Sequence, residues 1–143
     1  MTKSDLRRAR LTWSGEGLSF TGGPEGVPAV TIDGDRGDGP SPMDTLLLAL
    51  AGCMAIDVRY VLEKSRVPLT ALEVEIRGRH AEDIPRKFTH IELLYLVDGP
   101  EAEHRPRVDR AIELSRDKYC SVLHSLDPAI AFSIEVEVGG HDG

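Results

Sequence analysis

The stretch Leu46-Leu-Leu-Ala-Leu-Ala-Gly-Cys-Met-Ala-Ile56 is apolar except for Gly52, and it constrains the fold more than any other feature of the chain. It follows Ser41-Pro-Met-Asp44, which reads as a helix start. A serine at N-cap accepts an orphan backbone N–H, a proline at N1 has φ already fixed, and an acid at N3 faces the positive end of the helix dipole. Aspartate is shorter than the usual glutamate of a capping box, so the reciprocal bond is the weaker half of this expectation. The helix is expected to run to about Arg66, with Pro68 ending it. Its first half is apolar nearly all round, which predicts burial on several sides. Its second half turns amphipathic, with Val58, Val61 and Leu62 against Arg59, Glu63, Lys64 and Arg66. The uninterrupted apolar run is well short of the roughly 20 residues that span a bilayer. It therefore reads as a core helix and not a membrane partner. Residues 1–14 carry charge but no apolar leader, so a cytoplasmic location is expected.

Elsewhere the period is that of strands. Residues 5–13 and 16–20 form an expected hairpin, in which Leu11, Trp13, Leu18 and Phe20 alternate with polar residues around Gly15. Residues 27–33 form a third short strand, and the turn formers of 34–40 lead to the helix. Residues 70–79 alternate Leu72, Val74 and Ile76 with Glu73, Glu75 and Arg77, a strand with one wet face. A second long strand covers 88–97 and stops at Asp98-Gly-Pro100. Helices are expected over 105–115 and about 117–126, and a last strand over 130–138. The order β-β-β-α-β-β-α-α-β argues an α+β fold with a mostly antiparallel sheet. Without internal repeat or long linker, residues 1–143 read as one domain.

Composition narrows the function. A formal charge of −7 repels phosphate backbones, and the basic residues are dispersed. Their one cluster, Lys3, Arg7, Arg8 and Arg10, reads as a solvated chain end, so no nucleic-acid partner is expected. The five histidines do not cluster, and no CxxC, HxxxH or HExxH spacing occurs, so neither a metal nor another cofactor is expected. Two cysteines in a reducing compartment make a poor structural disulfide framework. Cys53 lies about three turns into the long helix, behind Gly52. That glycine costs a helix about 1 kcal/mol relative to alanine, which suggests close packing there or access to the sulfur. Cys120 lies near a helix start if Asp117 is the cap, where the helix end and nearby cations favour a thiolate. For each cysteine a plain buried side chain is the competing reading. The residues alone are compatible with a dithiol redox pair; their spacing does not bring the sulfurs together.

Ser41-Pro-Met-Asp-Thr-Leu-Leu-Leu-Ala-Leu-Ala-Gly-Cys-Met-Ala-Ile-Asp-Val58 resembles the first cysteine helix of OsmC/Ohr proteins, and Lys118-Tyr-Cys-Ser-Val122 resembles their second cysteine motif. Pro85-Arg-Lys-Phe-Thr-His-Ile91 is similar to a strand motif of the YhfA-like branch. The resemblance extends from Arg10-Leu-Thr-Trp13 to the last strand. It implies an OsmC-like fold: two mostly antiparallel sheets wrapped around long central helices in an intertwined homodimer. It also implies reduction of organic hydroperoxides in oxidative-stress defence, with Cys53 peroxidatic, Cys120 resolving through an intramolecular disulfide, and a dithiol reductant closing the cycle.

In the family an arginine held by a glutamate supports the attacking thiolate. Here Met43 stands where that glutamate is expected, and the acid follows at Asp44. Arg36 becomes the leading candidate cation, ahead of Arg86 and Arg10, with His90 a possible interface residue and His124 a possible neighbour of Cys120. Surface ion pairs compete for the arginines. A packed, hydrogen-bonded strand residue is the favoured alternative for His90. Two further readings stay beside the peroxidase. One is a non-catalytic module that binds a small ligand or senses redox state. The other, weaker, is a metal or acyl-transfer site pairing Cys53 with a histidine.

Overall fold

The computed structural model describes residues 5–139, so Lys3 and His141 lie outside the described residues. The chain divides into two compact units, Met1–Leu46 and Leu47–Gly143. In the first, β1 (Arg10–Trp13), β2 (Ser19–Gly23) and β3 (Val30–Asp33) form an antiparallel meander in that order. The hairpin closes with Trp13 opposite Phe20. Its turn needs left-handed backbone, which Gly15 and Gly17 supply at φ of 95° and 58°. Strand β1 is shorter than expected, beginning at Arg10, which pairs with Gly23 at the end of β2.

The loop after β3 is organised by one buried carboxylate. Asp33 accepts backbone N–H bonds from Asp35 at 2.8 Å, Gly37 at 3.1 Å and Asp38 at 2.8 Å. The Asp38 and Asp35 N–H groups hold its carboxyl below the usual carboxylate range, against the effect of burial. The loop then delivers Ser41 to the start of α1 (Pro42–Lys64). The capping box closes despite the shorter acid: the Asp44 N–H donates to Ser41 Oγ at 3.1 Å, and the Ser41 N–H donates to Asp44 Oδ2 at 3.0 Å.

The second unit holds most of α1, then β4 (Ala71–His80), β5 (Phe88–Asp98), α2 (Arg105–Leu114), a π-helical turn (Ser115–Tyr119), α3 (Ser121–His124) and β6 (Ala131–Val138). Strands β4 and β5 pair antiparallel, but β6 joins β5 in parallel. The antiparallel expectation thus holds for all strand pairs except the last. A parallel pair needs a long crossover, which α2, the π turn and α3 supply. Register places Leu72, Val74 and Ile76 beside Val97, Tyr95 and Leu93, and these beside Val138, Val136 and Ile134. One sheet face is therefore continuously apolar. It contributes to a core shared with Leu50, Met54, Val58 and Leu62 of α1 and Val108, Ala111 and Ile112 of α2, all buried.

Helix α1 is buried along one stripe only, a correction to the expected burial on several sides. Leu50, Met54, Val58 and Leu62 recur every four residues and are wholly buried. Leu48, Ile56 and Tyr60 lie on another face and are 58%, 69% and 57% exposed. Among the described residues, and apart from the helix's own neighbouring backbone, nothing approaches within 4 Å of where a Cβ on Gly52 would stand, so no close packing among them accounts for that glycine. The helix is long and apolar enough in composition to cross a membrane. Its buried stripe is nonetheless that of a globular core helix, with Arg59, Glu63 and Lys64 all exposed.

Gly78 is required for a different reason. A Cβ there would lie 2.7 Å from Phe88 Cε1, and the buried Phe88 ring also stacks on His80 at 4.8 Å between centroids. Gly78→Val is expected to destabilise the protein by about 1–3 kcal/mol through overpacking, read as a lower urea midpoint with unchanged slope.

Candidate active site

Cys53 and Cys120 meet in the second unit. Cys53 is carried on the half-buried side of α1, one residue before the buried Met54. Cys120 is buried at the junction between the π turn and α3. Asp117 does not cap that helix, as the sequence suggested. The π turn carries the chain past it, Asp117 pairs with Arg116 at 2.7 Å, and Cys120 takes the N-cap position. Its sulfur accepts the Leu123 N–H at 3.3 Å. Both cysteines are free thiols. Their sulfurs lie within 4.8 Å of each other but not at bonding distance.

The surroundings set the two thiols apart. Burial disfavours charge on Cys53, but the Val122 backbone N–H, the Cys120 thiol and the Ser121 hydroxyl outweigh it and bring its pKa below the ordinary cysteine value, despite the charge of Asp57. The Ser121 oxygen is 3.9 Å from the Cys53 sulfur. Burial pushes the Cys120 thiol up to about 11; the Leu123 N–H opposes this, while Cys53 and Asp57 add to it. The site thus favours the thiolate on Cys53 and disfavours it on Cys120.

Three further residues complete the site, none of them singled out from the sequence. Asp57, one turn beyond Cys53, brings a carboxylate oxygen within 4.8 Å of both sulfurs. It accepts a 2.9 Å bond from the buried Ser115 hydroxyl, which ties α1 to the π turn. Tyr95 is wholly buried in the central strand, and its hydroxyl has no hydrogen-bond partner among the described residues. Burial, then the charges of Cys120 and Asp57, raise its pKa. Leaving such a hydroxyl unpaired costs roughly 1–3 kcal/mol. The signal for Asp57 was available: an acid four residues after a cysteine on an apolar helix shares its face. Ser115 and Tyr95 gave no local signal.

The expected supporting residues sort differently. Arg36 and Asp44, both in the first unit, form a bidentate pair, with Arg36 Nε 2.7 Å from Asp44 Oδ2 and a second contact of 2.5 Å. The Arg36 bonds, then the Ser41 N–H, hold the Asp44 carboxyl well below the usual range. An arginine held by an acid is therefore present although Met43 replaces the glutamate. Arg86 sits in the β4–β5 loop at a φ of 52°, its Nε donating to the Ala81 carbonyl at 3.3 Å. His90 lies on the outer sheet face, exposed, and bonds the Thr89 hydroxyl at 2.8 Å through Nδ1. The packed strand histidine favoured from sequence is thus hydrogen-bonded but not packed. Neither Arg86 nor His90 is among the groups around the sulfurs. His124 does share the turn of Cys120, but its Nδ1–H is spent on the Cys120 carbonyl at 2.7 Å. Arg10 opens β1, exposed.

Comparison with known proteins agrees with this arrangement. The family model for OsmC-like proteins matches residues 34–135. The chain is 40% identical over 132 residues to Protein YhfA of Escherichia coli, covering 92% of this chain and 97% of that protein. A hypothetical protein from Aquifex aeolicus superposes with a TM-score of 0.83 at 26% identity, covering 95% of this chain and 98% of that one. An organic hydroperoxide resistance protein from Elizabethkingia anophelis shares the fold, with a TM-score of 0.64 at 13% identity and 97% and 100% coverage. The match of the family model over residues 34–135 and the 40% identity to YhfA across nearly the whole chain place this chain in the OsmC-like family, in the branch of YhfA.

Proposed function

We propose that this protein is a thiol-dependent peroxidase acting on organic hydroperoxides. The observation that carries it is the divided pair: a partly accessible cysteine whose pKa is lowered, beside a buried cysteine that holds its proton. The Cys53 thiolate attacks the terminal peroxide oxygen, and the O–O bond breaks. The organic fragment leaves with a proton as an alcohol, and Cys53 becomes a sulfenic acid. Cys120 sulfur then attacks Cys53 sulfur. Its proton and the departing hydroxide make water, and a disulfide forms. A dithiol reductant restores both thiols by exchange. Apolar neighbours on α1 suit alkyl or lipid hydroperoxides better than polar ones. Arg36, paired with Asp44, is the leading candidate for the cation that such chemistry needs.

The same reading proposes a homodimer. Leu48, Ile56 and Tyr60 expose a large apolar strip on α1, and Gly52 between them leaves room for close approach of another helix. A second copy covering this strip would give the resemblance's intertwined dimer its apolar seam. Sedimentation is expected to show a dimer, and Ile56→Glu to shift it towards monomer. A wild-type protein that sediments as a monomer at every concentration would remove the proposal.

Rapid mixing with cumene hydroperoxide tests the chemistry. The wild type is expected to lose two thiols with a Cys53–Cys120 disulfide, Cys53→Ser to consume no peroxide, and Cys120→Ser to stop at a trappable sulfenic acid. Slow, unselective oxidation would favour the ligand-binding alternative, which native mass spectrometry then examines.

Alkylation across a pH series tests the division of the thiols. Because the pKa of Cys53 is lowered, its thiolate persists to lower pH, and its labelling should fall off below the ordinary cysteine range of about 8.5. Labelling of Cys120 should rise only as pH approaches about 11. Coincident profiles would contradict the asymmetry.

A further inference from the structure

Two sulfurs and one carboxylate oxygen, those of Cys53, Cys120 and Asp57, all lie within 4.8 Å of one another, the one such group among the described residues. From this juxtaposition we propose that the reduced protein binds a zinc ion between Cys53, Asp57 and Cys120.

The separations suit the ion. Zinc–sulfur bonds of about 2.3 Å and zinc–oxygen bonds of about 2.0 Å in a tetrahedron set sulfur–sulfur distances near 3.8 Å and sulfur–oxygen distances near 3.5 Å. The three atoms therefore need to draw together by little more than about 1 Å at most. Cys53 and Asp57 share one helix face, so their spacing is fixed by α1, and Cys120 is fixed by its N-cap position. The donor set also selects the metal. Two thiolates reject calcium and magnesium, which take oxygen, and favour zinc or its spectroscopic stand-ins cobalt and cadmium. Three protein ligands leave the fourth position to water.

The groups behind the ligands are those a metal site calls for. Ligating carboxylates and thiolates are usually oriented by outer hydrogen bonds. Ser115 donates to Asp57 at 2.9 Å, and the Leu123 N–H donates to Cys120 at 3.3 Å. Tyr95, wholly buried, has a hydroxyl proton and no acceptor, and it lies in the field of Cys120 and Asp57. When the ion displaces the thiol protons to solvent, the charge of the ligand set changes in the field that reaches that hydroxyl. Binding engages both sulfurs, so the ion and the disulfide exclude each other, and zinc would hold the pair reduced.

The test does not depend on the peroxidase reading. Full-length reduced protein, freed of metal by a chelator, is titrated anaerobically with cobalt and then with zinc. One cobalt per chain is expected, with a thiolate-to-metal charge-transfer band, displaced by one equivalent of zinc. Cys53→Ser and Cys120→Ser should each weaken that band. Asp57→Asn should weaken affinity, and Tyr95→Phe should keep the spectrum while lowering affinity about tenfold. Zinc should also protect both thiols from alkylation together and block their oxidation by diamide as well as by peroxide. If a variant fails to fold, wild-type protection still answers. Equal alkylation with and without zinc, no charge-transfer band from protein whose thiols titrate as free, or a band that survives loss of both cysteines would each overturn the proposal.

Discussion

The hydrogen bond from Ser115 to Asp57 joins two segments far apart in the chain, and the chemistry of the protein depends on what it aligns. Asp57 lies one turn from Cys53, and Ser115 begins the π turn that ends at Cys120. Fixing one pair of residues therefore fixes the other. The bond is partly buried and one partner carries charge, which makes it stronger than an exposed neutral bond and costly to lose. It also explains why a π turn is tolerated here. The wider turn carries the chain from α2 to a cysteine that breaks the helix, and a regular α-helix would have run on through Cys120 instead.

The asymmetry of the thiols follows from that placement and not from their local sequences. The chain reversal at Cys120 aims the backbone N–H groups of Val122 and Leu123 at the two sulfurs, one each. Cys120 is also sealed beneath them, whereas Cys53 keeps an accessible side. Two similar thiols in one site cannot both ionise cheaply, so charge is favoured on the better-solvated Cys53 and disfavoured on the buried Cys120. The half-buried Asp57 beside them disfavours charge on both sulfurs, because each further negative charge is harder to add.

Much of the frame was legible from the residues. Ser41, Pro42 and Asp44 announced the helix start, and the alternation of residues 70–79 and 88–97 announced the central strands, because caps and period-2 patterns are local. Family membership was legible from the two cysteine motifs. The parallel β6 was not, since its alternation is the same in either direction and only the crossover decides. Asp117 misled because an aspartate before a short helix is an ordinary cap, and nothing local reveals that a π turn will carry the chain past it. Tyr95 and Ser115 were invisible for a related reason. A tyrosine in an apolar strand and a serine at a helix end look like structure until the fold sets them beside sulfur.

The loss of the family glutamate at Met43 has a local answer. Asp44 closes the capping box of α1 with Ser41 and at the same time clamps Arg36 through two oxygens. A glutamate one residue earlier would have left the N-cap bond to another side chain. Here the acid moves to N3, where it can serve both, and its pKa is depressed by Arg36 and the Ser41 N–H acting together. The guanidinium is thereby tied to the first turn of the very helix that carries Cys53. One carboxylate thus serves two ends, holding the guanidinium of Arg36 and closing the helix start with Ser41.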